Sequence, residues 1–254
     1  DTWKLTGRLT INLGARYTLN FPSTEKDDQG AVFNFQTQQL DYLGQNSFRR
    51  SARKLLWGNI APRVGLAYLL TQKTVIRSGY GMTYFDMSGI TTPFTNPQFP
   101  FVQTVQQANL NNTNPAFFLA GGPNVQPIPL TPDAGLGQSV YSADYNLGSG
   151  YAQQWNLAVQ REITSNLSFE VAYTGSKLTH VGVPDYNLNQ LTPAQLALGS
   201  TLTQTVANPY FGQIPASSSL GRATISRAQL LKPFPRFQNV ILFRNNIGNT
   251  SYHA

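Results

Sequence analysis

Few residues in this sequence have the types and spacings that chemistry at a site requires. The 254 residues include no cysteine and only two histidines, His180 and His253, and neither histidine stands in a metal-binding spacing such as HExxH. The absence of cysteine excludes a thiolate metal site, a disulfide framework and a cysteine nucleophile, and the sequence contains no GxSxG or phosphate-binding loop motif. We therefore expect no enzymatic activity, no catalytic residue, no bound metal and no cofactor.

Two charged segments could bind ions or charged surfaces. Glu25 and the run Asp27-Asp28-Gln29-Gly30 supply carboxylates of the kind that bind Ca²⁺, but they lack the full spacing of an EF-hand loop. The run 49–54, RRSARK, could contact the anionic head groups of lipopolysaccharide. In both cases a solvated loop is the alternative interpretation.

A further set of polar residues recurs at alternate positions within strand-like segments. These candidate site residues are Arg16, Arg63, Arg77, Gln160 and Glu170. Each one falls on the polar side of its alternating pattern. We expect them to line a water-filled interior, where they would contact an inner domain and influence which solutes pass. The plainer alternative is a purely structural role, in which these residues only form hydrogen bonds within a hydrated interior.

The segments that carry these residues alternate with a period of two. In 9–21 all seven odd positions are apolar or aromatic and none of the six even positions is, which predicts a β-strand. The same pattern returns at 60–68, 155–160 and 167–174, and more weakly at 74–85. The polar positions are mainly Thr, Asn, Gln and Gly, so the two faces of the predicted sheet differ sharply.

The connections between these strands alternate between short and long. Short ones lie at 6–8, 70–73 and 161–166, and long ones at 22–57, 86–150 and 176–236. This order predicts an all-β fold, an antiparallel transmembrane β-barrel segment with short periplasmic turns and long extracellular loops. Only a closed sheet can expose an apolar face to lipid without leaving backbone groups unpaired. A soluble β-sandwich with aromatic residues in its core remains the alternative.

One helical signal interrupts the last long connection. Thr192 is a favoured N-cap residue, Pro193 follows at the first helical position, and Gly199 provides a stop. A helix of about two turns is predicted there, with no evident chemical role.

The composition agrees with a protein that meets a membrane through strands. Only 11% of the residues are charged, against roughly 25% in a typical soluble domain, and Asn, Gln, Ser and Thr account for 83 of the 254 residues. The net charge of +7 is spread along the chain, so nucleic acid is not an expected partner. No stretch approaches the roughly 18 consecutive apolar residues of a transmembrane helix.

Several segments together are similar to a known family. They are APRVGLAY (61–68), TVIRSGYGMTYF (74–85), QQWNLAVQREI (153–163), FEVAYTGSKLTHV (169–181) and NLNQL (187–191). In that order they resemble the barrel of TonB-dependent outer-membrane receptors of the Oar-like type, and residues 1–17 resemble the hairpin that precedes them. The resemblance implies a barrel of about twenty-two strands that encloses an N-terminal plug domain.

The resemblance also implies a function and a set of partners. Residues 1–254 would be a partial TonB-dependent receptor-like barrel domain, with the plug and the remaining strands absent, in the outer membrane of a Gram-negative cell. Its activity would be energy-coupled uptake of a large solute. The expected partners are outer-membrane lipid, an extracellular ligand, and the plug domain and TonB complex through the full-length parent. The alternatives are a structural or adhesive surface barrel without transport and a soluble carbohydrate-binding sandwich.

Overall fold

The computed structural model describes residues 1–85, 99–102, 113, 115, 118, 120–122, 127–243 and 246–254. The strands in this part of the chain are β1 (Thr2–Lys4), β2 (Leu9–Tyr17), β3 (Ala31–Asn34), β4 (Gln39–Tyr42), β5 (Ile60–Thr71), β6 (Thr74–Tyr84), β7 (Val140–Ser142), β8 (Tyr151–Thr164), β9 (Leu167–Val181), β10 (Tyr186–Asn187), β11 (Thr205–Ala207), β12 (Thr224–Ser226), β13 (Val240–Leu242) and β14 (Gly248–His253). The helices are α1 (Pro193–Leu196) and α2 (Arg227–Leu230), with 3₁₀ turns at Pro132–Gly135, Gly199–Thr203 and Ser219–Gly221.

Seven strands form one antiparallel sheet in the order β1-β2-β5-β6-β8-β9-β14. This main sheet contains all the segments that alternate in the sequence, because a period of two places alternate side chains on the same face and separates most apolar residues from polar ones. Two-residue turns at 72–73 and 165–166 connect β5 to β6 and β8 to β9. The described strands do not close into a barrel, and β1 and β14 are the outer strands of the sheet.

The strands of the main sheet are staggered in a regular way. Leu9 is the first residue of β2, and its successive cross-strand partners form a row that runs perpendicular to the strands. This row reaches β6 at Ile76 and β9 at Val171. Ile76 is two residues, and Val171 four residues, beyond the start of its strand. The register therefore shifts by one residue per strand, which at about 3.3 Å per residue and 4.8 Å between strands is a slope of about 35°. Barrel strands are tilted by a similar angle.

No second layer covers the main sheet within the described residues. Leu13 is 40% exposed, Leu66 36% and Phe169 61%, although all three lie on the apolar face. A β-sandwich would bury this face against its partner sheet. The structure therefore does not have the arrangement that the soluble sandwich alternative requires.

The buried core lies in the three long connections, between β2 and β5, between β6 and β8, and between β9 and β14. We call their described residues the loop cap. Its largest cluster comprises Ala31, Phe33, Leu40, Tyr42, Leu136, Val140, Ile214, Leu220, Ile225, Phe237 and Val240. No member of this or the two smaller clusters belongs to a strand of the main sheet. All three connections contribute to this cluster, so they pack together as one unit.

Aromatic packing and buried amides hold the loop cap together. Phe33 makes edge-on contacts with Phe35, Phe234 and Phe237, at ring-centroid distances of 4.9 to 5.6 Å. The side-chain amide of Asn189, which is 1% exposed, donates to the carbonyl oxygens of three residues in 234–238 and accepts from the backbone amide of Phe234. A short sheet in the order β10-β13-β7 joins the second connection to the third.

Some boundaries differ from those predicted. The third long connection begins at 182 rather than 176, because β9 continues to Val181 with the same pairing to β8 and β14. The helix predicted from Thr192 has its capping box with Gln195, but α1 is a single turn and a 3₁₀ turn begins at Gly199, which has a positive φ. No helix in the described residues has the length and apolar character needed to cross a membrane.

Candidate functional site

All five polar residues singled out in the sequence lie on one face of the main sheet. Cross-strand partners share a face, and Arg63 is paired with Gly14 and Gly81. The remaining pairs on this face are Arg16 with Ala61, Arg77 with Ala67 and Ala158, and Gln160 with Glu170. We call this side the polar face.

The five residues form two groups along the strands. Gln160 and Glu170 are directly opposite, and Arg77 is diagonal to Gln160, so these three lie together toward the short turns. Arg16 and Arg63 are diagonal neighbours toward the loop cap. The three arginines and Glu170 are exposed, and none of the four forms an ion pair with another described residue. They are available to partners outside the described chain.

Small and neutral residues separate these two groups. Gly65 and Gly79 are paired at the centre of the polar face, with Asn12 and Asn156 as their outer neighbours. A Cβ atom at Gly79 would lie 2.9 Å from Oδ1 of Asn156, so this amide occupies the space above the glycine. The result is a smooth surface that can donate and accept hydrogen bonds. Sequence reasoning missed this strip, although its glycines and asparagines occupy the polar positions of the alternating pattern.

A shallow cavity of about 490 Å³ extends this strip toward β14. Gly81, Gln154 and Ser176, which are consecutive partners across three strands, form its polar floor. Its groups can bind by hydrogen bonding, but they do not include a paired nucleophile and base. The described residues also contain no group of three or more side chains that could hold a metal ion.

The opposite face of the main sheet is apolar and open. Its exposed side chains include Leu13, Val64, Leu66, Leu157, Val159, Phe169 and Val171. Trp155 lies directly over Gly175 on the neighbouring strand, so its indole covers the gap that the glycine leaves. A continuous apolar surface across five strands is typical of a membrane-contacting or protein-contacting surface.

The acidic segment in the loop cap uses its carboxylates internally. Oε2 of Glu25 accepts hydrogen bonds from the backbone amides of Asp27 and Gln29, both at 2.7 Å. Asp28 pairs with Arg50 at 2.6 Å. Turn formation and the ion pair explain this cluster without a bound cation.

The basic run is also built into the loop cap. Arg53 is only 2% exposed and donates to the carbonyl oxygen of Asn20. The Arg49 guanidinium lies between the rings of Phe48 and Tyr145. Three of the four cations in the run, Arg49, Arg50 and Arg53, therefore have structural contacts within the cap.

The two histidines have polar neighbours of their own. Nδ1 of His253 lies 2.6 Å from the hydroxyl of Tyr173, and Nδ1 of His180 lies 3.3 Å from the carbonyl oxygen of Asn246. These contacts connect β14, and the segment that precedes it, to β9. They place each histidine in a hydrogen-bonding environment.

Comparison with known proteins gives one match. The profile of a family described as outer membrane beta barrel domain matches residues 1–254. Neither the comparison with curated proteins nor the comparison with solved structures found a match. The family agrees with the sheared strands, the open apolar face and the polar face of the main sheet.

Proposed function

The chain belongs to the outer membrane β-barrel domain family, and from this premise we propose that it is part of a TonB-dependent receptor for energy-coupled uptake of a large solute. Family membership establishes a barrel protein of the outer membrane. The proposal adds the transport activity, the coupling to TonB and the Oar-like identity, which rest on the resemblance of the strand segments. In this proposal further strands and a plug domain complete the barrel.

One observation carries the barrel part of the proposal. The main sheet exposes an apolar face and a polar face at the same time, as Leu13 and Arg16 of β2 illustrate. Lipid can cover the first face, and water or an inner domain can cover the second. The regular shift of one residue per strand gives the sheet the slope of barrel strands.

The transport part assigns roles to the two groups on the polar face. Arg16 and Arg63 lie nearer the loop cap, where they could pair with acidic groups of a plug or of an entering solute. Arg77, Gln160 and Glu170 lie nearer the short turns, which this proposal assigns to the periplasmic side. Solute bound by the cap would displace the plug, and TonB would then pull the plug aside. The neutral strip between the two groups contains no charged side chain that would bind a passing ionic solute tightly.

Uptake measurements on cells test this proposal. The solutes removed from the medium are compared between cells that have the intact gene and cells that lack it, each with and without a protonophore. We expect at least one large solute to be removed only by energised cells that contain the protein. Removal of TonB should have the same effect as the protonophore. If no solute depends on the gene, or if uptake persists without energy, the transport proposal fails.

A structural or adhesive barrel is the second candidate, and the folded loop cap favours it. The cap has its own buried core, so it can present a fixed surface to another cell or matrix. In that case deletion of the gene would reduce cell adhesion or envelope integrity and leave solute uptake unchanged. The same deletion strain therefore separates the two candidates.

A further inference from the structure

A pocket of about 670 Å³ opens in the loop cap between the first and second long connections. Asn34, Asp41 and Arg49 line it from one side, and Asp144 and Tyr145 from the other. Its volume falls within the range of about 300–1,000 Å³ typical of small-molecule sites. No role has so far been assigned to it.

Arg49 is held in a fixed orientation in this pocket. Its guanidinium carbon lies 4.4 Å from the ring centroid of Phe48 and 4.2 Å from that of Tyr145, and its Nε donates to the carbonyl oxygen of Ser51 at 3.1 Å. Burial lowers the pKa of Arg49 from its ordinary value, while Tyr145 and Asp41 oppose that change. The two terminal amino groups make no hydrogen bond with another described residue. They form a planar pair of donors ready for a ligand.

Two carboxylates supply acceptors on the walls of the same pocket. One oxygen of Asp41 accepts from the side-chain amide of Asn34 at 2.9 Å, and one oxygen of Asp144 accepts from the backbone amide of Asn146 at 2.9 Å. In each case the second oxygen accepts no hydrogen bond from the described residues. Neither carboxylate forms an ion pair with Arg49. Donors and acceptors of opposite charge therefore face the cavity side by side.

The charges of the pocket restrict the kind of ligand that it can hold. An anion would be attracted by Arg49 but repelled by Asp41 and Asp144, and a cation would meet the reverse situation. A neutral polyol avoids both penalties, because one hydroxyl can accept from the guanidinium while the next donates to a carboxylate. Both contacts are charge-assisted hydrogen bonds, which are stronger than neutral ones.

Aromatic rings complete the match to a ring-shaped polyol. Phe35 is 40% exposed and Tyr145 36% exposed, so both rings offer apolar surface at the pocket. A pyranose ring has hydroxyl groups at its edge and a face of C–H groups, and that face can cover an aromatic ring. We propose that the loop-cap pocket binds a neutral saccharide. As the capture site of the proposed receptor it names the class of solute taken up, and in that respect it rests on the proposed function.

The test uses the full-length protein in detergent micelles and an array of neutral glycans, acidic glycans and peptides. We expect the wild-type protein to retain neutral glycans. The affinity for the compound that the wild type retains best, which we expect to be a neutral glycan, is then measured by calorimetry for Arg49→Gln and Asp41→Asn. Each substitution should weaken binding about tenfold or more. Arg222→Gln, which removes an exposed cation elsewhere in the cap, is the matched control and should bind like the wild type.

The signs of the two effects decide the ligand class. If Arg49→Gln weakens binding and Asp41→Asn strengthens it, the ligand is an anion; the reverse pattern indicates a cation, and either result overturns the proposal. Failure of the wild type to retain any neutral glycan, with the cap intact by limited proteolysis, also overturns it. If Arg49→Gln loosens the cap, Arg49→Lys keeps the charge and removes the planar donor pair together with the Nε hydrogen bond to Ser51, and it should also weaken binding. Because binding in micelles needs no energy source, a failed uptake experiment would leave this result standing.

Discussion

The substitution Val171→Arg tests the apolar face most severely. Val171 is 59% exposed on that face and lies four residues beyond the start of β9. With a rise of about 3.3 Å per residue and a tilt of about 35°, it stands roughly 11 Å above the short turn, near the middle of an apolar band about 25 Å tall. An arginine at this depth costs about 2–4 kcal/mol. That corresponds to a roughly 30- to 700-fold loss in the equilibrium for insertion.

The neighbouring substitution Ala172→Arg is the matched control. Ala172 is on the same strand but on the polar face, where it is paired with Ala158 and lies two residues from Glu170. We expect this variant to assemble nearly as well as the wild type. The assay is the amount of heat-modifiable folded protein in outer-membrane fractions, followed by urea titration in lipid vesicles. Equal losses in the two variants would refute the assignment of the faces.

Three further predictions concern the loop cap and the surface of the sheet. Asn189→Ala removes the hydrogen bonds that the buried side-chain amide donates to three backbone carbonyls, and it leaves the backbone N–H of Phe234 without its acceptor. Hydrogen exchange should therefore show the cap destabilised by about 3 kcal/mol while membrane insertion is retained. Gly175→Ala should displace the indole of Trp155, because a Cβ atom would overlap it, and change its fluorescence emission. Gly14→Ala should leave that emission unchanged, since its Cβ would have no neighbour closer than 3.9 Å. Burial raises the pKa of Tyr42 above its ordinary value of about 10, because the ionised phenol is less stable in the folded cap than in the unfolded chain. The contribution of Tyr42 to cap stability should therefore be fully present below about pH 10 and be lost as the pH rises through the raised pKa. Urea unfolding of the cap at increasing pH should show this loss, and Tyr42→Phe should remove it.

The strands of the main sheet could be predicted because their two faces differ in chemistry. In β2 the alternation of apolar and polar residues continues past Tyr17, but the pairing with β5 ends there, and the chain turns into the cap. Sequence periodicity therefore located the strand and its faces, and long-range pairing determined its end. The same periodicity predicts that Arg77 and Glu170 lie on one face, and the strand register places both on the polar face.

The loop cap could not be predicted from local patterns. Phe33 and Phe237 are in contact although most of the sequence lies between them, and no periodicity indicates such a pair. The sequence groups Arg49 with a basic run, yet its position between Phe48 and Tyr145 depends on the second long connection. The pocket at Arg49 was missed for this reason. Its residues are distant in the sequence and meet only when the connections pack together.

The central claim, that lipid covers the apolar face and water the polar face, can be measured with spin labels. The chain contains no cysteine, so single cysteines at Leu13 and Phe169 on one face, and at Asn12 and Ala172 on the other, can be labelled selectively in this region. Accessibility to oxygen, which concentrates in the bilayer, and to a water-soluble nickel complex is then recorded in membranes. We expect oxygen to dominate at Leu13 and Phe169 and nickel at the other two positions. High nickel accessibility at Leu13 and Phe169, or protection from both reagents, would contradict the account.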